Sequence, residues 1–174
     1  MTETEAKVKI TDLKAFREKI LKAGAVLEKE RYLEKNILYD FPDASLRRKR
    51  QAVRIRTIGR KTFFTFKGTP QKSRKFKVRE EFETEVKKGK ALLKILQKLG
   101  LAPAFRYRKH RAVFRKGRLK ICLDETQVGN YCELEGEKSD IVRFVKAIGA
   151  AKSELIKLDY IQLITGTGQD TGCD

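Results

Sequence analysis

The residues that could do chemistry fall into pairs two apart, alternating with apolar neighbours. Glu3, Glu5 and Lys7 form one such set; Arg54 with Arg56, Thr65 with Lys67, and Glu81 with Glu83 and Glu85 form others. Lys109 with Arg111, Lys120 with Cys122 and Asp124, and Glu133 with Glu135 complete the series. Side chains at i and i+2 share one face of a β-strand, so each run offers an ionised face backed by an oily one: Val53, Ile55, Phe64, Phe66, Phe82, Leu119, Ile121, Leu123 and Leu134. Carboxylate oxygens suit hard divalent cations such as Mg2+ or Mn2+. Guanidinium and ammonium groups suit phosphate oxygens. The carboxylates cluster towards the two ends of the chain and the cations towards its middle, and a metal–polyphosphate complex needs both.

Eight strands must carry these faces. Period-two patterning predicts them at Thr2–Ile10, Asn36–Phe41, Ala52–Ile58, Thr62–Lys67, Lys77–Val86, Tyr107–Phe114, Arg118–Asp124 and Asn130–Glu135. Helical period appears in three segments, Thr11–Gly24, Lys90–Gly100 and Ser139–Gly149. Each stops at a glycine, and Thr11 or Asp12 can cap the first. A short segment, Leu155–Ile164, reads as helix in preference to strand. Gly59 and Gly117 mark hairpin turns. The basic stretch 47–50 reads as a solvated face or loop, and the Gly/Thr-rich tail 165–174 as disordered.

The 174 residues suit a single domain, placed here at residues 1–164. Charged residues make up 37% of the chain and the formal net charge is +18, which calls for a polyanionic partner. Three cysteines without a CxxC pair and a single His argue against a disulfide framework and a zinc site. The acidic start does not resemble a secretory leader, and no apolar run approaches the roughly 20 residues that span a bilayer. The expectation is a cytoplasmic protein without a membrane partner. Monomer and homodimer both stay open.

The residues alone leave two ways to use strands of this kind. Either the charged face meets water while the oily face packs on helices, or the sheet closes with the charges inside and the helices clasping the oily outside. Burying so many charges requires opposite charges and ligands to neutralise them. This chain carries both signs.

Ordered motifs favour the second arrangement. Glu3-Thr4-Glu5-Ala6-Lys7 resembles the ExExK signature of the CYTH, or triphosphate tunnel, superfamily, which includes class IV adenylate cyclases and thiamine triphosphatases. It is followed in the family's order by residues 36–42 (NILYDFP), 53–56 (VRIR), 64–68 (FTFKG) and 79–83 (REEFE), then by 107–111, 121–125 (ICLDE), 129–136 (GNYCELEG) and Tyr160. Gln127-Val128 departs from the family's usual pair before Gly129, a loop change. The resemblance implies an α+β fold: an eight-stranded antiparallel β-barrel with helices packed outside and a metal-bound triphosphate in its lumen. By matching position it implies metal carboxylates at Glu3, Glu5, Glu133 and Glu135, with Asp124 joining them or orienting a metal-bound water. It implies catalytic roles for Glu3, Glu5 and Asp124, and phosphate ligands at Lys7, Arg54, Arg56, Lys67, Lys109 and Arg111. An acidic tunnel position falls on Glu81 or Glu83, and Lys157 stands for a late basic residue.

The activity so implied is metal-dependent hydrolysis of inorganic triphosphate or of an organic one such as thiamine triphosphate. The alternative is a class IV cyclase that makes cyclic AMP and pyrophosphate from ATP. A non-catalytic polyphosphate- or RNA-binding protein is the rival of another class. Its RNA form is disfavoured because no RRM-type aromatics, helix-turn-helix or finger spacing occur.

Overall fold

Eight strands do form, and they close on themselves. The computed structural model of the chain describes residues 2–73, 75–151 and 154–166. Its strands are β1 (Thr2–Ile10), β2 (Val26–Asp40), β3 (Ala52–Ile58), β4 (Lys61–Lys67), β5 (Lys77–Glu85), β6 (Ala102–Lys116), β7 (Leu119–Thr126) and β8 (Gly129–Glu135). The helices are α1 (Leu13–Lys22), α2 (Ser45–Arg48), α3 (Gly89–Lys98), α4 (Lys138–Ala147) and α5 (Tyr160–Thr165). The sheet is a closed antiparallel barrel in the order β1-β5-β4-β3-β2-β6-β7-β8, so among the described residues no edge strand is left unpaired.

Contacts divide the chain into two compact units. The first comprises Met1–Glu3, Tyr32–Lys72 and Val78–His110; the second comprises Thr4–Arg31, Ser73–Lys77 and Arg111–Asp174. Each has its own apolar core. In the first, Tyr39, Val53 and Ile55 from the strands pack with Leu96 of α3 and with Leu101, flanked by Leu92, Phe64 and Phe66. In the second, Ala6, Val8, Ile121, Leu123 and Leu134 pack against Ile20 of α1 and Ile141, Phe144 and Val145 of α4. The oily strand faces therefore meet the helices, and the ionised faces turn the other way.

Three segments differ from expectation. β2 begins ten residues earlier than the predicted strand and β6 five residues earlier. Residues 28–31 are all charged and 102–104 are small or proline, so neither alternates; both stretches are largely exposed. Residues 47–50 are exposed, as expected of a solvated face; the first two belong to α2, where the buried Asp40 carboxylate accepts from the backbone N–H groups of Leu46 (2.9 Å) and Arg47 (3.0 Å). Within Leu155–Ile164, Ile156 forms a β-bridge with Lys7 before α5 begins at Tyr160. α5 runs to Thr165; the remainder of the predicted tail, 167–174, lies outside the described residues.

Candidate metal and phosphate site

Register decides which charges meet. In the second unit, β1–β8 pairing sets Glu5 opposite Glu135 and Lys7 opposite Glu133. β7–β8 pairing sets Lys120 opposite Glu135 and Cys122 opposite Glu133. Residues directly opposed in an antiparallel pair point to the same side, so three strands project carboxylates and cations onto one face. Lys7 Nζ lies 3.0 Å from Glu133 and 3.4 Å from Glu5, and 5.2 Å from the centre of the Tyr160 ring. Burial alone would depress its ammonium, but Glu133 and Glu5 outweigh that and raise it above the ordinary lysine value.

Arg111 forms the other centre of this cluster. Its Nε and Nη2 donate to the two oxygens of Asp124, both at 2.6 Å, and Nη2 also donates to Glu133 at 2.7 Å. Tyr160 donates its hydroxyl to Asp124 as well, so both Asp124 oxygens are engaged. Glu135 pairs with Lys120 at 2.7 Å and lies 3.8 Å from Arg111. Lys157 is exposed and reaches the Ser73 carbonyl at 3.4 Å, apart from this cluster.

The first unit carries a second ionic cluster. Arg54 Nη2 lies 3.2 Å from Glu83 and 3.5 Å from Glu81. Arg56 pairs with Glu83 and, at 3.4 Å, with Glu34. Lys67 pairs with Glu81 and, at 3.3 Å, with Glu3; Lys109 stands 3.7 Å from Glu34. Burial would push the Glu81 carboxyl up, yet a hydrogen bond with Glu3 and the charges of Lys67 and Arg54 bring it down to about 2. Glu83 is lowered in the same way, against burial, by Arg56 and the Thr65 hydroxyl.

The acidic side chains of the second unit fit a divalent cation. Ligand atoms of Glu133, Glu135 and Cys122 all lie within 4.8 Å of one another. Oxygen donors of this kind suit Mg2+ or Mn2+. Burial pushes the Cys122 thiol well up, so it keeps its proton and acts as a small neighbour. Glu5, opposite Glu135, adds a further carboxylate to this face. Glu3 is placed instead with Lys67 and Glu81 in the first unit.

Several members of these clusters escaped the sequence reading. Glu34 is fully buried and accepts from the Tyr32 hydroxyl at 3.2 Å. Its signal was available: it stands two residues before Asn36, on the same strand face. Lys77 and Asp159 also form an ion pair, at 2.9 Å. The bond from Tyr160 to Asp124 depends on where α5 docks, and no local pattern announces it.

Comparison with known proteins agrees with the closed-barrel fold. The CYTH domain family matches residues 1–157. A proposed adenylate cyclase of Vibrio parahaemolyticus superposes with a TM-score of 0.79 at 18% identity, covering 95% of this chain and 98% of that one. A protein of Pyrococcus horikoshii gives 0.77 at 19% identity, covering 92% and 98%. A proposed adenylyl cyclase of Hippeastrum, described as having a dominant triphosphatase activity, gives 0.68 at 20% identity, covering 94% and 96%. Comparison with curated protein sequences finds no significant match. The chain belongs to the CYTH family, whose members process triphosphates and generally depend on a divalent metal.

Proposed function

We propose that this protein is a divalent-metal-dependent triphosphatase that hydrolyses inorganic triphosphate or an organic triphosphate. The observation that carries this reading is the cluster of Glu5, Glu133 and Glu135 on one face with Lys7 and Arg111, so that metal-binding oxygens and phosphate-binding cations alternate within bonding distance. Pure anion capture gains nothing from those carboxylates. A divalent cation held by Glu5, Glu133 and Glu135 would neutralise phosphoryl charge and acidify a water.

The chain's own residues bind and orient. Phosphoryl transfer needs positioning and charge neutralisation more than a protein nucleophile. Lys7 and Arg111, tied to carboxylates in this structure, would offer N–H groups to phosphoryl oxygens if those carboxylates held a divalent cation. In the first unit Arg54, Arg56, Lys67 and Lys109 carry donors of the same kind, paired there with Glu3, Glu34, Glu81 and Glu83. Asp124 keeps the Arg111 fork oriented. Water attacks the terminal phosphorus, the bond to the bridging oxygen breaks with loss of the diphosphate remainder, and the attacked phosphorus becomes orthophosphate.

The test is product analysis with Mg2+ or Mn2+ and, separately, inorganic triphosphate, thiamine triphosphate and ATP. Orthophosphate without cyclic AMP is the expected result. Glu135→Gln should abolish metal-dependent turnover with an unchanged melting temperature, and Arg56→Ala should mainly raise KM. Cyclic AMP with pyrophosphate would assign the chain to the cyclases instead. Full activity in both variants would remove the site assignment.

A further inference from the structure

Asn36 stands out on the ionised face of β2 because its buried amide has no hydrogen-bond partner among the described residues. It lies on β2 directly opposite Arg56 of β3 and is 1% exposed. Neither its Oδ1 nor its Nδ2 has a hydrogen-bond partner among the described residues. The Nε groups of Arg54 and Arg56, on the same face, also lack one. Its neighbour on that face, Glu34, is taken up by Arg56, Lys109 and Tyr32.

A buried amide with both ends unsatisfied destabilises the protein that carries it, and an apolar side chain would avoid that cost. Leu38, two residues on, shows that this face accepts one. The amide therefore points to a ligand, and its chemistry restricts which. The unpartnered N–H groups of Arg54 and Arg56, with Nδ2 of Asn36, are donors suited to phosphoryl oxygens. Oδ1 is an acceptor, and an ionised inorganic triphosphate offers it no donor. Exchanging the amide's oxygen and nitrogen leaves the argument unchanged, because either orientation presents one donor and one acceptor.

We propose that Asn36 contacts the ligand directly and reads a hydroxyl or N–H group on the organic part of an organic triphosphate, so that it sets preference for such a substrate over inorganic triphosphate. This rests on the functional reading above. A site that hydrogen-bonds a substrate group discriminates strongly against analogues lacking it, because its own polar group is then left buried and unpaired.

The test compares wild type with Asn36→Ala and Asn36→Leu on ATP, thiamine triphosphate and inorganic triphosphate, with thermal melting of the free protein. In both variants kcat/KM for the preferred organic triphosphate should fall about tenfold or more. For inorganic triphosphate it should fall by no more than about threefold, the loss of one donor to phosphate among several. The melting temperature without ligand should hold or rise in at least one variant, which a merely structural asparagine would not allow. Equal losses on all substrates, no loss on any, or lower melting temperatures in both variants would overturn the inference. So would a wild type confined to inorganic triphosphate, which leaves the functional reading standing. A wild type that turns over none of the three fails the functional reading itself, and this inference with it.

Discussion

Glu81 and Asp124 are both carboxylates drawn out of water, and the side chains around them differ in what they do. Both Asp124 oxygens meet the planar Arg111 fork, a pairing whose loss would leave a buried charge uncompensated. Glu81 meets Lys67, Arg54 and Glu3, and its carboxyl falls to about 2 from an ordinary 4.5 although burial works against this. The folded protein therefore releases that proton more readily than the unfolded chain. The stabilisation is complete above pH 4.5 and fades as pH falls towards 2. Denaturant midpoints at pH 6 and pH 3 should show a smaller acid loss in Glu81→Gln than in wild type. An identical loss would mean that other groups carry the acid limb.

Elements end where local chemistry tells them to. α1, α3 and α4 are followed by Gly24, Gly100 and Gly149, with φ of 85°, 86° and 65°. In each, the next residue's N–H returns to a carbonyl of the last turn: Ala25 to Ile20, Leu101 to Leu96, and Ala150 to Val145. These are the paired closing bonds of a Schellman turn, and a Cβ in the left-handed region strains it. Gly24→Ala should lower stability by about 1 kcal/mol, read from the denaturant midpoint, with little effect on KM. An unchanged midpoint would show that the turn relaxes freely. These stops were legible because they need only a few consecutive residues. The early halves of β2 and β6 were not legible, because their pairing partners keep them extended where their own sequence does not alternate.

For the molecule as a whole, the +18 charge and the ionic clusters belong to different places. The cations of the clusters are matched by carboxylates, as Lys7 is by Glu133 and Lys67 by Glu81. Much of the surplus is exposed, including Lys87, Lys88, Lys90, Lys94 and Lys98 in and before α3. Exposed charge steers anions and is screened by salt, whereas buried pairs are screened far less. Raising ionic strength from low to about 0.5 M should cut kcat/KM for a triphosphate by about tenfold while kcat changes little. A fall confined to kcat would place the salt effect in the chemistry instead.

The sequence by itself determined which residues alternate on strands, where the helices stop, and that metal-type carboxylates and phosphate-type cations share strand faces. All three follow from periodicity and short-range turn chemistry. Periodicity alone left open whether those faces meet water or close inward; the ordered motifs pointed to closure, and tertiary structure carries it out. Pairing of β1 with β8 joins residues far apart in the chain, and helix docking on the oily faces leaves the ionised ones to turn the other way. Glu34 and Asn36 are buried on β2 beside β3, and the docking of α5 brings Tyr160 to Asp124. Burial and partner choice are sums over the whole fold, and no short window of sequence contains them.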